Sequence, residues 1–289
     1  MPSRPEMAAP RPPLAAVGGA WDCHVHVFGD PARHPLAATR RYTPGLARLE
    51  DACAHAARIG AARIVLIQAS VYGADNGCLF EALGGLGREG RAVIAASADS
   101  LDDRTIARWH DAGVRGVRVN PRGRIADVGA VPGDLSALAR RLQGTGWHVE
   151  VNTTAAFAEA IVEAVVPFGV CLVLDHLMGL DLAAADFAPA LARAAAIAGE
   201  DGVWVKLSGV SRAAPAPHVR ANQAAAFARF LEVAPERVLW GSDWPHTPLG
   251  DGQSGFAEVD DVAEAEIALR LAGDHAARLF RDNPEALFR

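Results

Sequence analysis

Cysteine is scarce in this 289-residue chain: Cys23, Cys53, Cys78 and Cys171 are scattered, and no C-x-x-C pair occurs. That pattern excludes a disulfide frame or a zinc-finger scaffold and suits buried thiols in a reduced, cytoplasmic protein. Long apolar runs are missing too, and nothing approaches the roughly 18–20 uninterrupted apolar residues of a membrane span. Basic residues do not dominate. The 28 Lys and Arg stand against 34 Asp and Glu, a formal net charge of −6, which argues against nucleic acid as a partner. No G-x-G-x-x-G follows an apolar run, so a dinucleotide-binding open sheet lacks its fingerprint. Prolines at 2, 5, 10, 12 and 13 break any secretory signal, and residues 1–19, rich in Pro and Ala, are expected to form a disordered tail.

What the chain does have is apolar residues, 51% of positions, enough for a large soluble core. From position 20 onward short β-like runs alternate with Ala- and Leu-rich helical stretches. Strands are predicted at 20–27, 63–69, 91–98, 114–120, 147–152, 171–176, 203–208 and 237–242. Helices are predicted at 45–59, 101–112, 135–142, 155–165, 182–198, 219–233 and 259–271. Such alternation implies parallel β-α units, and near-continuous apolar strands imply burial on both faces. Eight units make a (β/α)8 TIM barrel, a fold of about 250 residues. No composition shift divides residues 20–289, so one domain is expected. Gln68, Ser70, Arg118, Asn152, His176, Ser208, Ser211 and Asp243 fall at or just past strand C-terminal ends, where a barrel carries its active site.

The segment Trp21-Asp22-Cys23-His24-Val25-His26-Val27-Phe28 places two histidines one residue apart. On a strand they share a face, with Val25 and Val27 on the other. Two imidazoles at a strand end can bind a metal, hold an oxyanion or relay protons. His176 ends the sixth strand and Asp243 the eighth, which in a barrel closes against the first. Three histidines and a carboxylate thus converge on one mouth. Ester hydrolysis needs such a set: a base beside a water, and fixed donors where negative charge develops. Arg118 at a strand end, Arg124 in the next loop and Arg212 past strand seven make that mouth locally basic. Guanidinium forks bind carboxylates, so an anionic substrate is expected. Of the other histidines, His55 and His110 are expected to be solvated or half-packed on helices, His148 to sit at the wrong strand end, and His246 to be a turn residue. Trp109, Trp147, Trp204 and Trp240 are expected in packing roles, with Trp21 and Trp244 lining the mouth.

The motifs D-C-H-V-H-V-F-G, R-R-Y-T-P, Q-A-S, G-V-R-V-N, L-D-H-L-M-G and G-S-D-W-P-H together resemble the 2-pyrone-4,6-dicarboxylate lactonase group of the amidohydrolase superfamily. The resemblance runs from about residue 20 to the C-terminus. It implies a lactonase that opens the cyclic ester of a small carboxylated molecule, with Asp243 as the general base activating water. It further implies that His24, His26 and His176 polarise the carbonyl and stabilise the oxyanion. Arg118, Arg124 and Arg212, with Tyr42 and Ser70, would hold the substrate's carboxylates. Asn152 stands where a substrate-facing tyrosine is expected, which bears on the identity of the lactone. A two-metal site would need a strand-four Lys or Glu and a strand-five His, whereas these strands offer Arg118 and then Glu150 and Asn152. The group includes metal-free members, so no metal is expected to be required. The alternative is one divalent ion, zinc by donor type, at His24, His26, His176 and Asp243. A sugar-acid lactone isomerase, a metal-dependent decarboxylase and a non-catalytic anion binder are the competing readings. Monomer and homodimer are both compatible with the sequence.

Overall fold

The computed structural model describes residues 11–120, 131–209, 216–248 and 251–289. Arg124, Ser211 and Arg212 therefore lie outside the described residues, as do residues 1–10 of the expected tail. Eight parallel strands follow one another in chain order: β1 Trp21–Val25, β2 Arg63–Ile67, β3 Arg91–Ile94, β4 Val114–Val119, β5 His148–Val151, β6 Leu172–Leu174, β7 Val203–Leu207 and β8 Val238–Trp240. Between them run α1 Leu49–Ile59, α2 Gly77–Leu86, α3 Asp103–Asp111, α4 Val131–Leu142, α5 Ala155–Val165, α6 Phe187–Ala198 and α7 Pro217–Val233, with α8 Asp261–Ala272 and α9 Asn283–Leu287 after the last strand. The ends of the sheet meet through a parallel bridge between Val25 and Trp244. Asp243 N donates to His24 O at 3.0 Å and His26 N to Trp244 O at 2.9 Å, so the sheet closes into the expected (β/α)8 barrel.

Two apolar layers follow from strand alternation. Cys23, Val65, Ile67, Val93, Val173 and Leu239 pack together inside the barrel, while Ile64, Leu66, Ala92 and Val205 join the larger core under the helices. β1 breaks the alternation. Its register on β2 shifts between Asp22 and Val25, which marks a bulge with one extra residue. Trp21 and Cys23 thereby join the interior cluster, Val25 joins the helix-facing core, and His24 and His26 both turn inward. Asp22, which strict alternation would put on the histidine face, turns out towards α1.

The lower end of the barrel is plugged by the C-terminus. Phe288 stacks on Trp21 at 6.0 Å between ring centroids and meets His148 edge-on at 5.5 Å. Arg91 Nε donates to Phe288 O at 2.6 Å, and Arg115 Nε bonds Arg289 O. Trp21 is thus a floor residue and not part of the mouth as expected. It begins β1, three residues below His24, and each strand residue rises about 3.3 Å.

Two further expectations need correction. Residues 13–16 of the supposed tail form a 3-10 turn with Leu14 fully buried. Its seat is the end of α1, where Gly60 adopts φ +86°, and a Cβ there would meet Ala15 N at 2.6 Å. The helix α2 is absent from the helices expected from the sequence, because Gly77, Gly84 and Gly85 depress its propensity. Tertiary contact overrides that: Cys78, Leu79, Ala82 and Leu83 are buried, and a Cβ at Gly85 would lie 2.4 Å from Leu49 Cδ2.

Candidate active site

The bulged β1 delivers His24 and His26 to the upper barrel. His26 Nδ1 donates to the Ile67 carbonyl at 2.8 Å, which fixes its tautomer and leaves Nε2 as the inward nitrogen. His24 Nε2 lies 3.3 Å from His26 Nε2. Asp243 Oδ1 approaches His24 Nε2 at 3.6 Å and His26 Nε2 at 3.7 Å. The His176 ring lies 4.8 Å from that of His24, centroid to centroid, and its Nδ1 hydrogen-bonds the Ser208 hydroxyl at 2.9 Å. The four residues that the sequence singled out are therefore brought together.

Backbone geometry aims them. His176 and Asp243 adopt left-handed φ angles of 51° and 67°, which are uncommon for residues with a Cβ and recur where function requires them. Glycines make room. A Cβ on Gly241 would meet His24 Cβ at 2.5 Å, and one on Gly209 would meet His176 Nδ1 at 2.9 Å.

Beneath this cluster lies a buried ionic group of which the sequence reading singled out only Arg118, as a substrate ligand. Lys206 of β7, Glu150 of β5 and Asp175 at the end of β6 are fully buried, and Arg118 of β4 nearly so. Lys206 Nζ hydrogen-bonds Glu150 Oε2 at 2.6 Å and His24 Nδ1 at 3.3 Å, and lies 3.4 Å from Asp175 Oδ1. Arg118 Nε donates to Asp175 Oδ2 at 2.9 Å and lies 3.3 Å from Glu150 Oε1. Two cations thus face two anions, the arrangement a dry interior demands. Burial alone would raise the Asp175 carboxyl, but Lys206 and Arg118 hold it well below the usual carboxylate range. Burial alone would lower Lys206 and Arg118, and the same carboxylates reverse that. Burial, reinforced by the Lys206 charge, pushes His24 well below the usual imidazole range, so its ring is neutral. The detectable signal was a charged residue inside each apolar strand: Val-Trp-Val-Lys-Leu, His-Val-Glu-Val and Leu-Val-Leu-Asp.

This geometry now meets its relatives. The model of the amidohydrolase family matches residues 21–289.

The chain belongs to the amidohydrolase family.

Among its relatives, a 2-pyrone-4,6-dicarboxylate hydrolase of Comamonas testosteroni is 32% identical, over 96% of this chain and 93% of that protein. A 4-sulfomuconolactone hydrolase of Rhizobium radiobacter is also 32% identical, over 93% of this chain and 90% of its own length. A solved structure from Pseudomonas putida, described as a candidate 2-pyrone-4,6-dicarboxylic acid hydrolase, superposes with a TM-score of 0.79 at 31% identity. It covers 93% of this chain and 97% of that one.

In this amidohydrolase the expected substrate ligands that the structure describes sit on different elements. Arg118 faces the barrel interior, but its Nε is committed to Asp175 and its Nη1 to Gln68 O at 3.3 Å. Asn152 is buried above β5, and its Oδ1 has no hydrogen-bond partner among the described residues. Tyr42 is half-buried and Ser70 exposed in the loops after β1 and β2. Among the described residues, no helix is long and apolar enough to cross a membrane.

A second buried network flanks the site outside the barrel wall and corrects the expectation for His55. That residue is buried, because it shares the inward stripe of α1 with Ala52, Ala56 and Ile59. Its Nε2 lies 3.2 Å from both Asp22 Oδ2 and Ser242 Oγ, and its Nδ1 3.3 Å from Asp261 Oδ2. Its ring stacks on Trp244 at 5.4 Å. Burial opposes protonation, yet hydrogen bonds to Asp22 and Asp261 raise the His55 pKa to about 9. Asp22 Oδ1 in turn accepts from Ser242 N at 2.9 Å and His24 N at 3.2 Å, tying the two site strands together. His246 is the expected turn residue, with φ 65°, but its Nε2 also bonds Asp261 Oδ1 at 2.7 Å.

Proposed function

We propose that this amidohydrolase hydrolyses the ester bond of a small anionic lactone of the 2-pyrone-4,6-dicarboxylate type. The observation that carries the reading is the approach of Asp243 Oδ1 to two inward imidazole nitrogens at the C-terminal mouth, at 3.6 and 3.7 Å. Asp243 takes a proton from water as the oxygen adds to the acyl carbon. Ring N–H groups of His24 and His176 donate to the oxyanion that forms, fixed in place before the charge develops, while His26, whose Nδ1 proton is held by Ile67 O, steadies His24. Collapse breaks the acyl–oxygen bond, and the leaving oxygen takes up the proton held by Asp243. Hydrolase names on the relatives support the reaction class. Arg124 and Arg212 remain proposed carboxylate ligands, as do Tyr42, Ser70 and Asn152, while the partners of Arg118 give it a supporting role.

The donor spacing also favours a second reading. A tetrahedral zinc ion with ligands at about 2.0–2.1 Å holds its donors about 3.3–3.4 Å apart. The separations among His24 Nε2, His26 Nε2 and Asp243 Oδ1 are 3.3, 3.6 and 3.7 Å. These three residues would hold such an ion, which when bound supplies a Lewis acid for the carbonyl.

The test follows the ultraviolet absorbance of 2-pyrone-4,6-dicarboxylate with chelator-stripped and with zinc-supplemented protein, in heavy-oxygen water. Turnover by stripped protein with label in the product carboxylate supports metal-free hydrolysis. Turnover that requires zinc selects the second reading; no turnover in either state moves the test to sugar-acid lactones, where product without label points to isomerisation. The Asp243→Asn protein should lose about 10²- to 10⁴-fold in kcat while still binding the dianion; undiminished kcat would remove the base assignment.

A further inference from the structure

We infer that Lys206 selects the tautomer of His24, holding the proton on Nε2 so that the ring presents an N–H to the site instead of a lone pair. An ammonium group has three N–H donors and no acceptor. Around Lys206 Nζ stand three acceptors: Glu150 Oε2 at 2.6 Å, His24 Nδ1 at 3.3 Å and Asp175 Oδ1 at 3.4 Å. The set balances only if His24 Nδ1 carries a lone pair. The competing tautomer would direct Nδ1–H at Asp175 Oδ1, 3.5 Å away. It would also turn an N–H against the ammonium and strand one of its protons among side chains that are all fully buried, a costly outcome in a dry interior. Asp175 Oδ1 makes no hydrogen bond of its own among the described residues, but its charge is met by the Lys206 ammonium at 3.4 Å and by Arg118 Nε on the other oxygen.

His26 gives the same answer independently. Its Nδ1 proton is committed to Ile67 O, so in the neutral ring Nε2 is an acceptor, and that nitrogen faces His24 Nε2 at 3.3 Å. A proton on His24 Nε2 makes the pair donor to acceptor; its absence would set two lone pairs against each other. The chain thus carries an oriented series from Lys206 through His24 and His26 to Ile67 O.

Two consequences follow. In the hydrolase, His24 offers a hydrogen bond beside Asp243 for the developing oxyanion, and this meaning rests on the lactonase reading. Towards a cation, Lys206 acts as a guard. A metal-binding histidine ordinarily donates its second ring nitrogen to a carboxylate or carbonyl, but here that nitrogen is occupied by a donor. Capture of zinc by His24, His26 and Asp243 requires the His24 proton to move to Nδ1, against the ammonium.

The experiment reads the ring itself, so it stays informative even if no lactone is turned over. Long-range proton–nitrogen correlation spectra of stripped protein carrying ¹⁵N-histidine, with His24→Gln protein for assignment, should show His24 protonated at Nε2 and bare at Nδ1. The opposite tautomer overturns the inference. The double variant Glu150→Gln/Lys206→Met removes one cation and one anion together, so the local net charge is kept. It should bind zinc at least about tenfold more tightly than wild type in competition with a chelating dye. A folded variant with unchanged zinc affinity also overturns the inference, and if the variant fails to fold the wild-type spectrum decides alone.

Discussion

Replacing His55 with Gln should destabilise the protein by an amount that depends on pH. In the folded state the imidazolium faces Asp22 from β1, Asp261 from α8, the Ser242 hydroxyl and the Trp244 ring. Arg58 and His246 share Asp261 with it. The rise from 6.5 to about 9 corresponds to about 3 kcal/mol of preference for the charged ring in the native state. The folded pKa is the higher one. The stabilisation is therefore complete below pH ~6.5 and disappears as pH climbs through about 9. Gln cannot titrate, so the gap in unfolding free energy between wild type and His55→Gln should be widest near pH 6.5 and narrow by about 3 kcal/mol by pH 9.5. Urea unfolding followed by tryptophan fluorescence at the two pH values measures both gaps. Curves that keep the same separation across the window would refute a protonated His55 and the buried clamp built on it. Because Asp22 also receives the His24 and Ser242 amides, the variant should lose kcat where it remains folded.

Gly241→Ala should impair activity more than stability, because its new methyl would collide with the His24 Cβ, 2.5 Å from the ideal position; a variant with wild-type kcat would show that His24 can shift freely. Phe288→Ala opens the barrel floor under Trp21 and His148. It should cost about 3–5 kcal/mol in chemical denaturation, with little change in KM while the protein stays folded. Arg118→Ala leaves Asp175 and Glu150 to share Lys206 and should cost about 3–5 kcal/mol. A stable Arg118→Ala protein with only a raised KM would instead make Arg118 a direct substrate ligand.

Periodicity alone carried the fold and half of the site. Strand–helix alternation specifies a parallel barrel, and polar residues closing apolar strands mark its working end, so His24, His26, His176 and Asp243 were legible as a set. These signals are local: each depends on which side of its own strand a residue occupies. The supporting chemistry is not local. Lys206 meets Glu150 and His24 across the barrel, and His55 meets Asp22 and Asp261 through its wall. A charged residue in an apolar strand announces that a partner exists without saying which one. The β1 bulge shows the same limit at shorter range. Composition gives no warning of a register shift, yet that one residue sends Asp22 outward to His55 and both histidines inward. Trp21 fell to the floor for a related reason, since only the closed barrel reveals that the C-terminal Phe288 fills the space beneath it. The amino-acid pattern determined that this chain forms a barrel with histidines and a carboxylate at its mouth. Only tertiary structure decided which buried charges hold them, because burial makes each of those charges depend on partners distant in the chain.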